Sequence, residues 1–253
     1  MAIGIIPARF SSTRFPGKPL ALLAGQPVIR HVYRAASRAA SLSAVWIATD
    51  DERIANAAES FGAKVLMTRP DHVCGSDRLV EALEHIGCGA ADIVVNIQGD
   101  EPLLQTGVID RCVRALEQNA DADWTTLIYP LENGADADNP NVVKVVCDLR
   151  GFALYFSRLA IPFNRGGTGL PVRFGHAGLY AYRAEALRRF ASCPPTPLEQ
   201  SEKLEQLRAL EHGMKILCVE VERAYPGVDT PEDLEHLEAL VHHNQELLTR
   251  NHE

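Results

Sequence analysis

The chain has no apolar stretch approaching the roughly 20 residues needed to cross a bilayer. Its opening, Met1-Ala2-Ile3-Gly4-Ile5-Ile6-Pro7-Ala8-Arg9, has neither the basic start nor the long apolar run of a secretion signal. Both absences argue against a membrane partner and for a cytoplasmic protein. Cysteine is scarce and scattered: Cys74, Cys88, Cys112, Cys147, Cys193 and Cys218 include no CxxC pair, so they read as reduced core thiols, not as disulfides or zinc ligands. Positive charge is also in deficit. Lys and Arg number 25 against 33 Asp and Glu, a formal charge of −8 with no long basic run, which argues against a nucleic-acid groove. Any anionic ligand must be met by a local cationic patch. There is no internal repeat, no low-complexity tract and no clear linker. The 253 residues, 46% of them hydrophobic, suffice for one large α/β domain or two closely packed lobes with a sizeable core, and are read as a single domain over 1–253.

What is present is an alternation of apolar runs with helical periodicity. Ala2 to Pro7, Ala44 to Ala48, Lys64 to Met67 and Ile93 to Gln98 read as buried strands. Between them, Val28, Ile29, Val32, Tyr33 and Ala36 recur at helical spacing, and Thr49 with Glu52 resembles a capping box opening a helix through Ala58. A further helix is expected from about Gly107 to Gln118. Continuous apolar strands alternating with helices predict a three-layer α/β sandwich with a mixed, mostly parallel central sheet. After Trp124 the pattern changes. Trp124 to Tyr129, Val142 to Cys147, Phe152 to Phe156 and Ala177 to Tyr182 read as strands in quick succession, a more antiparallel section over roughly 124–182. Asn164 to Gly169 reads as a loop, Glu199 to His212 as one helix with Gly213 past its end, and Thr230-Pro231 as the N-cap and first position of a last helix.

The segment following the first strand, Ile6-Pro7-Ala8-Arg9-Phe10-Ser11-Ser12-Thr13-Arg14-Phe15-Pro16-Gly17-Lys18-Pro19-Leu20, gathers Arg9, Arg14 and Lys18 in one short loop. Open α/β sheets bind ligands beyond the carboxyl ends of their strands, and a triphosphate needs several converging cations with free backbone N–H groups. This is not a Walker A loop, because Ser12 and Pro19 stand where Gly and Ser or Thr would be required, and no GxGxxG follows the strand.

Ile6 to Leu20 resembles the signature loop of nucleotidyltransferases that make activated sugars, and specifically that of the 3-deoxy-manno-octulosonate cytidylyltransferases. The resemblance continues, in order, through Ala48-Thr49-Asp50-Asp51, Asn96-Ile97-Gln98-Gly99-Asp100-Glu101-Pro102, Phe156-Ser157-Arg158, His176 to Arg183, Leu204-Glu205-Gln206-Leu207-Arg208 and Gly227 to Leu234. It covers nearly the whole chain. It implies the fold of the nucleotide-diphospho-sugar transferases, and makes the 124–182 section one for sugar binding and dimerisation. His72 to Arg78 resembles the loop of the family that meets the cytidine end, with Cys74 in place of Ser and Ser76 in place of Thr.

Asp100 sits just past an apolar strand, where a carboxylate can hold Mg2+ beside a triphosphate. Asp229 alone reads equally as helix-start chemistry, and the family pattern makes it the second aspartate on the metal. The nucleotide side is then Pro7, Ala8, Arg9, Arg14, Lys18, Gly75, Arg78 and Gln98, with Arg9, Lys18, Asp100 and Asp229 carrying the catalysis. Arg78 on composition reads as readily as a surface residue. An acidic sugar calls for a cation with planar, forked geometry and several hydrogen-bonding groups. Arg158, His176, Tyr180, Glu205 and Gln206 meet that need at the family's sugar positions, with Gln98 reaching both ligands. The resemblance implies transfer of CMP from CTP to 3-deoxy-D-manno-octulosonate with Mg2+, for lipopolysaccharide, by a cytoplasmic homodimer. The alternatives are a cytidylyltransferase for a related acid, 8-amino octulosonate or sialate, and a non-catalytic nucleotide-binding protein.

Overall fold

The computed structural model describes residues 1–11, 14–72, 75–131, 134–166 and 173–243. Ser12, Thr13, Cys74 and residues 167–169 of the expected loop lie outside the described residues. The chain divides into two compact units, Met1–Asp110 with the segment from Tyr225 onward, and Arg111–Ala224.

The first unit begins with β1 (Ala2–Ala8), a hairpin of β2 (Leu22–Leu23) and β3 (Gln26–Pro27), α1 (Val28–Ala36), β4 (Ala44–Thr49), α2 (Glu52–Ser60) and β5 (Lys64–Met67). It continues through α3 (Gly75–Ile86), β6 (Ile93–Asn96) and α4 (Thr106–Gln118), within which the unit boundary falls. Its strands run β6-β1-β4-β5, all parallel, with Ile3 opposite Ala44 and Val94. Ile3 and Ile5 on one face of β1 and Ile6 on the other are all buried, because a central parallel strand is covered on both faces. Helix α1 buries Val28, Ile29, Val32 and Ala36 of the helical stripe read from the sequence, and Ala35 with them, while Tyr33 is half-buried.

Helix α2 corrects one expectation. Its cap is Asp51, whose carboxylate accepts the Arg53 N–H at 2.9 Å, while Thr49 is the last residue of β4 and its hydroxyl accepts the Asp51 N–H at 3.2 Å. The strand claims Thr49 through pairing with Ala8 and Met67.

The second unit contains β7 (Trp124–Pro130), α5 (Gly134–Asp138), β8 (Lys144–Cys147), β9 (Ala153–Ser157), β10 (Phe174–Arg183), α6 (Ala184–Ser192), α7 (Pro197–Glu202), α8 (Glu205–Glu211) and β11 (Ile216–Glu220). Here β7 pairs parallel with β11 and antiparallel with β10, and β8 pairs antiparallel with both β10 and β9. The pairings among β7, β8, β9 and β10 are thus all antiparallel. The single helix expected over Glu199–His212 is instead two. Lys203 takes a left-handed conformation, φ 55°, and separates α7 from α8. Leu204, Leu207 and Leu210 keep a helical spacing right after the break, which is why the sequence hides it.

The chain then contributes α9 (Pro231–His243) to the first unit. Thr230 and Asp233 form a reciprocal cap: the Thr230 hydroxyl accepts the Asp233 N–H at 3.2 Å, and the Asp233 carboxylate accepts the Thr230 N–H at 2.9 Å. The α/β class, with strands flanked by helices and parallel pairing predominant, is as expected.

Candidate active site

Three loops far apart in sequence meet in the first unit because their apolar residues form one cluster. Val228 just before Asp229, Leu103 just after Asp100, and Leu23 and Val28 beyond the β1 loop are buried together with Leu237 and Val241 of α9, and Phe15 packs against them. The Val228 N–H donates to the Asp100 carbonyl at 2.8 Å, tying the two aspartate loops directly. Gly99 allows the third loop in. A Cβ there would lie 3.1 Å from the Pro7 carbonyl oxygen at the end of β1. Gly17, at φ +73°, closes the loop by donating to the Phe10 carbonyl at 2.9 Å and leads into a 3-10 turn over Lys18–Leu20.

The outcome is a cluster of opposite charges. The Lys18 ammonium lies 2.6 Å from Asp100 Oδ2 and 3.1 Å from Asp229 Oδ1, and Arg14 reaches Asp229 Oδ2 at 3.2 Å. Burial works against the charge on Lys18, but the two carboxylates override it and raise its pKa above the usual lysine value. Beside them, Glu101 is pushed up to about 8 by burial and by the Asp100 charge. Asp233, which the sequence reading did not single out, accepts the Asp229 N–H at 3.0 Å and so fixes the backbone that carries the second aspartate.

Arg9 is half-buried at the end of β1, after Pro7 and Ala8. Its Nη2 is buried without a hydrogen-bond partner among the described residues. A buried guanidinium N–H without an acceptor is costly, and a phosphate oxygen is the acceptor that suits it. Gln98 follows β6, half-buried, two residues before Asp100.

Gly75 and Arg78 lie on α3, not in a loop. Arg78 is no surface residue. It is fully buried, donating to Asp50 Oδ2 at 2.9 Å and to the Thr68 hydroxyl. Asp50, in the Ala48–Asp51 motif, is thus a partner for Arg78, and the pair ties α3 to the ends of β4 and β5.

The other nominated residues lie in the second unit. His176 and Tyr180 sit on β10, on either side of a register shift between Ala177 and Tyr180. The Thr126 hydroxyl pins this bulge, donating to the Ala177 and Leu179 carbonyls at 3.3 and 3.0 Å, and contacts His176 Nε2 at 2.9 Å. The rings of His176 and Tyr180 lie 5.5 Å apart, with Phe156 5.1 Å from His176 on another side. Burial lowers the His176 pKa to about 4, so the ring is neutral.

Arg158 follows β9 and is held rigidly. Its Nε donates to the Glu202 carbonyl at 2.7 Å, its Nη1 to the Pro140 carbonyl at 3.0 Å, and its N–H to the Glu202 carboxylate at 2.9 Å. The buried Lys144 ammonium in turn binds the carbonyls of Arg158, Asn139 and Val142. Neither Glu202 nor Lys144 was legible as a site residue, since each looks like an ordinary surface charge in the sequence. Glu205 opens α8, exposed, and Gln206 beside it is buried. Helix α8 packs against β9, the strand leading to Arg158.

A family model described as cytidylyltransferase matches residues 3–216. A 3-deoxy-manno-octulosonate cytidylyltransferase of Syntrophobacter fumaroxidans is 52% identical over 234 residues, 92% of this chain and 94% of that protein. An 8-amino-3,8-dideoxy-manno-octulosonate cytidylyltransferase of Shewanella pealeana is 48% identical over 236 residues, 93% and 96% of the respective chains. The solved structure of a CMP:2-keto-3-deoxy-manno-octonic acid synthetase complexed with CTP is similar at TM-score 0.91 and 41% identity, covering 96% of this chain and 98% of that one.

Proposed function

The chain belongs to the cytidylyltransferase family, and from that premise we propose that it transfers CMP from CTP to 3-deoxy-D-manno-octulosonate, releasing pyrophosphate and supplying an activated sugar for lipopolysaccharide. The observation that carries the reading is the convergence of Asp100 and Asp229 on Lys18.

The anomeric hydroxyl of the sugar attacks the α-phosphorus in line and pyrophosphate departs. Such a reaction asks mainly for positioning and charge neutralisation. Arg9, Arg14 and Lys18 supply the cations for the triphosphate. Pro7 and Ala8 bring backbone to it, Gln98 reaches both ligands, and Gly75 and Arg78 shape the cytidine end, with Arg78 acting through its hold on Asp50. Arg158 presents its guanidinium to the sugar carboxylate, while His176, Tyr180, Glu205 and Gln206 receive the hydroxyls. A neutral His176 exchanges one hydrogen bond for another without a charge to desolvate.

Asp100 and Asp229 fit Mg2+. Both carboxylates bond the one Lys18 ammonium, so they face a common position and would together hold a divalent ion there. Both are hard oxygen donors, and Mg2+ commonly takes one or two carboxylates and completes its shell with phosphate oxygens and water. Among the described residues no group of three or more His, Cys, Asp or Glu could hold a metal alone, which suits a site that the triphosphate completes. When bound, Mg2+ offsets triphosphate charge and lowers the pKa of the attacking hydroxyl.

We place the enzyme in the cytoplasm as a homodimer, with the 124–182 section serving sugar binding and dimerisation. In support, Leu154, Leu159 and Phe163 of that section are exposed apolar side chains, and among the described residues no helix is long and apolar enough to cross a membrane. The relative from Shewanella pealeana supports a second reading, with the 8-amino sugar as acceptor. Pyrophosphate release from CTP and Mg2+ with octulosonate, its 8-amino analogue and sialate in parallel separates these. Release with octulosonate is expected, preference for the 8-amino sugar favours the second reading, and no release with any acceptor overturns both.

A further inference from the structure

Two cysteines that share no sequence motif meet in the second unit. Cys147 ends β8, where the register against β9 slips between Val146 and Cys147. The chain then turns through Asp148–Phe152, with the Asp148 carboxylate accepting the N–H groups of Arg150 at 2.8 Å and Phe152 at 2.9 Å. This turn lies on β11: Phe152 bridges Leu217, and the Cys218 N–H donates to the Gly151 carbonyl at 2.9 Å. The turn thereby sets Cys147 beside Cys218, near enough for each thiol to perturb the other. Both side chains are half-buried, within reach of a small reagent, whereas Cys88 and Cys112 are buried.

We propose that Cys147 and Cys218 are a redox-modification site, at which exchange with a small-molecule disulfide forms an intrachain disulfide that staples the β8–β9 turn to β11. The nearness of the two thiols lowers the pKa of Cys147 and, with burial, raises that of Cys218, which makes Cys147 the attacking thiolate of the proposal and Cys218 the resolving thiol. Cys147 attacks one sulfur of the small disulfide, breaks its S–S bond and expels the other half as a thiolate. Cys218 passes its proton to solvent and attacks the Cys147 sulfur, expelling the second half. The protein thiols lose two electrons, the small disulfide gains them, and their protons end on the two released thiols. The segment closed by this bond holds Arg158, His176, Tyr180, Glu205 and Gln206.

The test is to incubate the reduced, folded protein with oxidised glutathione, quench in acid, alkylate and map the peptides by mass spectrometry. The expected result is a Cys147 peptide linked to a Cys218 peptide, lost on treatment with dithiothreitol, with Cys88 and Cys112 still open to alkylation after denaturation. Cys218→Ser should halt the exchange at a glutathione adduct on Cys147. Recovery of Cys147 and Cys218 from the wild-type protein as free thiols, or as separate glutathione adducts with no link, would overturn the proposal. Absence of the adduct in Cys218→Ser would overturn the order of attack.

Discussion

Burial disfavours the charge on Lys18 and the two carboxylates facing it more than offset that effect, so removal of the side chain has two consequences. The triphosphate loses a cation, and Asp100 and Asp229 are left close together without their shared partner. Lys18→Ala should lower kcat/KM for CTP by at least about tenfold, equivalent to about 1.4 kcal/mol of transition-state stabilisation. The far-ultraviolet circular dichroism should stay unchanged, since the residue lies at the edge of the core. Full turnover in the purified variant would remove Lys18 from the reaction. Asp100→Asn and Asp229→Asn should each abolish most Mg2+-dependent turnover, because an amide is a neutral and weaker ligand. A variant that keeps both its rate and its Mg2+ dependence would clear that aspartate of the metal role. Arg158 is held through Nε and Nη1, a geometry that a lysine cannot reproduce. Arg158→Lys should therefore raise KM for the sugar and leave KM for CTP near its original value. The reverse pattern would move Arg158 to the nucleotide side.

Among the elements, the break between α7 and α8 is the most open to test. Lys203 holds a left-handed backbone that costs a side-chain-bearing residue about 1 kcal/mol and glycine almost nothing. Lys203→Gly should raise the melting temperature by a few degrees, the relief of the left-handed backbone outweighing the added freedom of the unfolded chain; an unchanged or lower melting temperature would show that it does not. That break also shows where the sequence stops being informative. Buried parallel strands such as β1 and β4 were legible because their apolar runs are continuous, and α1 because its buried residues keep a helical period. Leu204, Leu207 and Leu210 keep the same period just beyond a change of direction set by one φ angle, which no spacing reveals. At the candidate site, Lys18, Asp100 and Asp229 could be nominated from their loops. Their meeting depends on the Val228–Leu103–Leu23 cluster, which is a property of packing. Arg78 reads as an exposed base until α3 and the ends of β4 and β5 surround it, and Glu202 has no local mark at all.

For the molecule as a whole, acid should be destabilising in a defined window. The folded pKa of His176, about 4, lies below its ordinary 6.5, so the native state disfavours its proton. Its contribution is fully present above the ordinary value and is lost as pH falls through the interval toward 4, to a total on the order of 3 kcal/mol. Urea unfolding followed down this range should show the loss, and His176→Gln should lose less. Identical acid limbs for both proteins would assign the sensitivity elsewhere. Chelation should behave differently. With EDTA present turnover should stop while the melting temperature holds, because Lys18 and Arg14 balance the aspartates without a metal. A large fall in melting temperature would make the metal structural.

The first unit is discontinuous, and the stretch that completes it, Val228 and Asp229 with α9, is translated after every residue of the second. A nascent chain can therefore assemble β1, β4, β5 and β6 early and still lack one of the two aspartates. A growing polypeptide on the ribosome cannot complete the proposed metal pair until the whole intervening unit has been made, so catalytic competence comes late in synthesis, however early the parallel sheet folds.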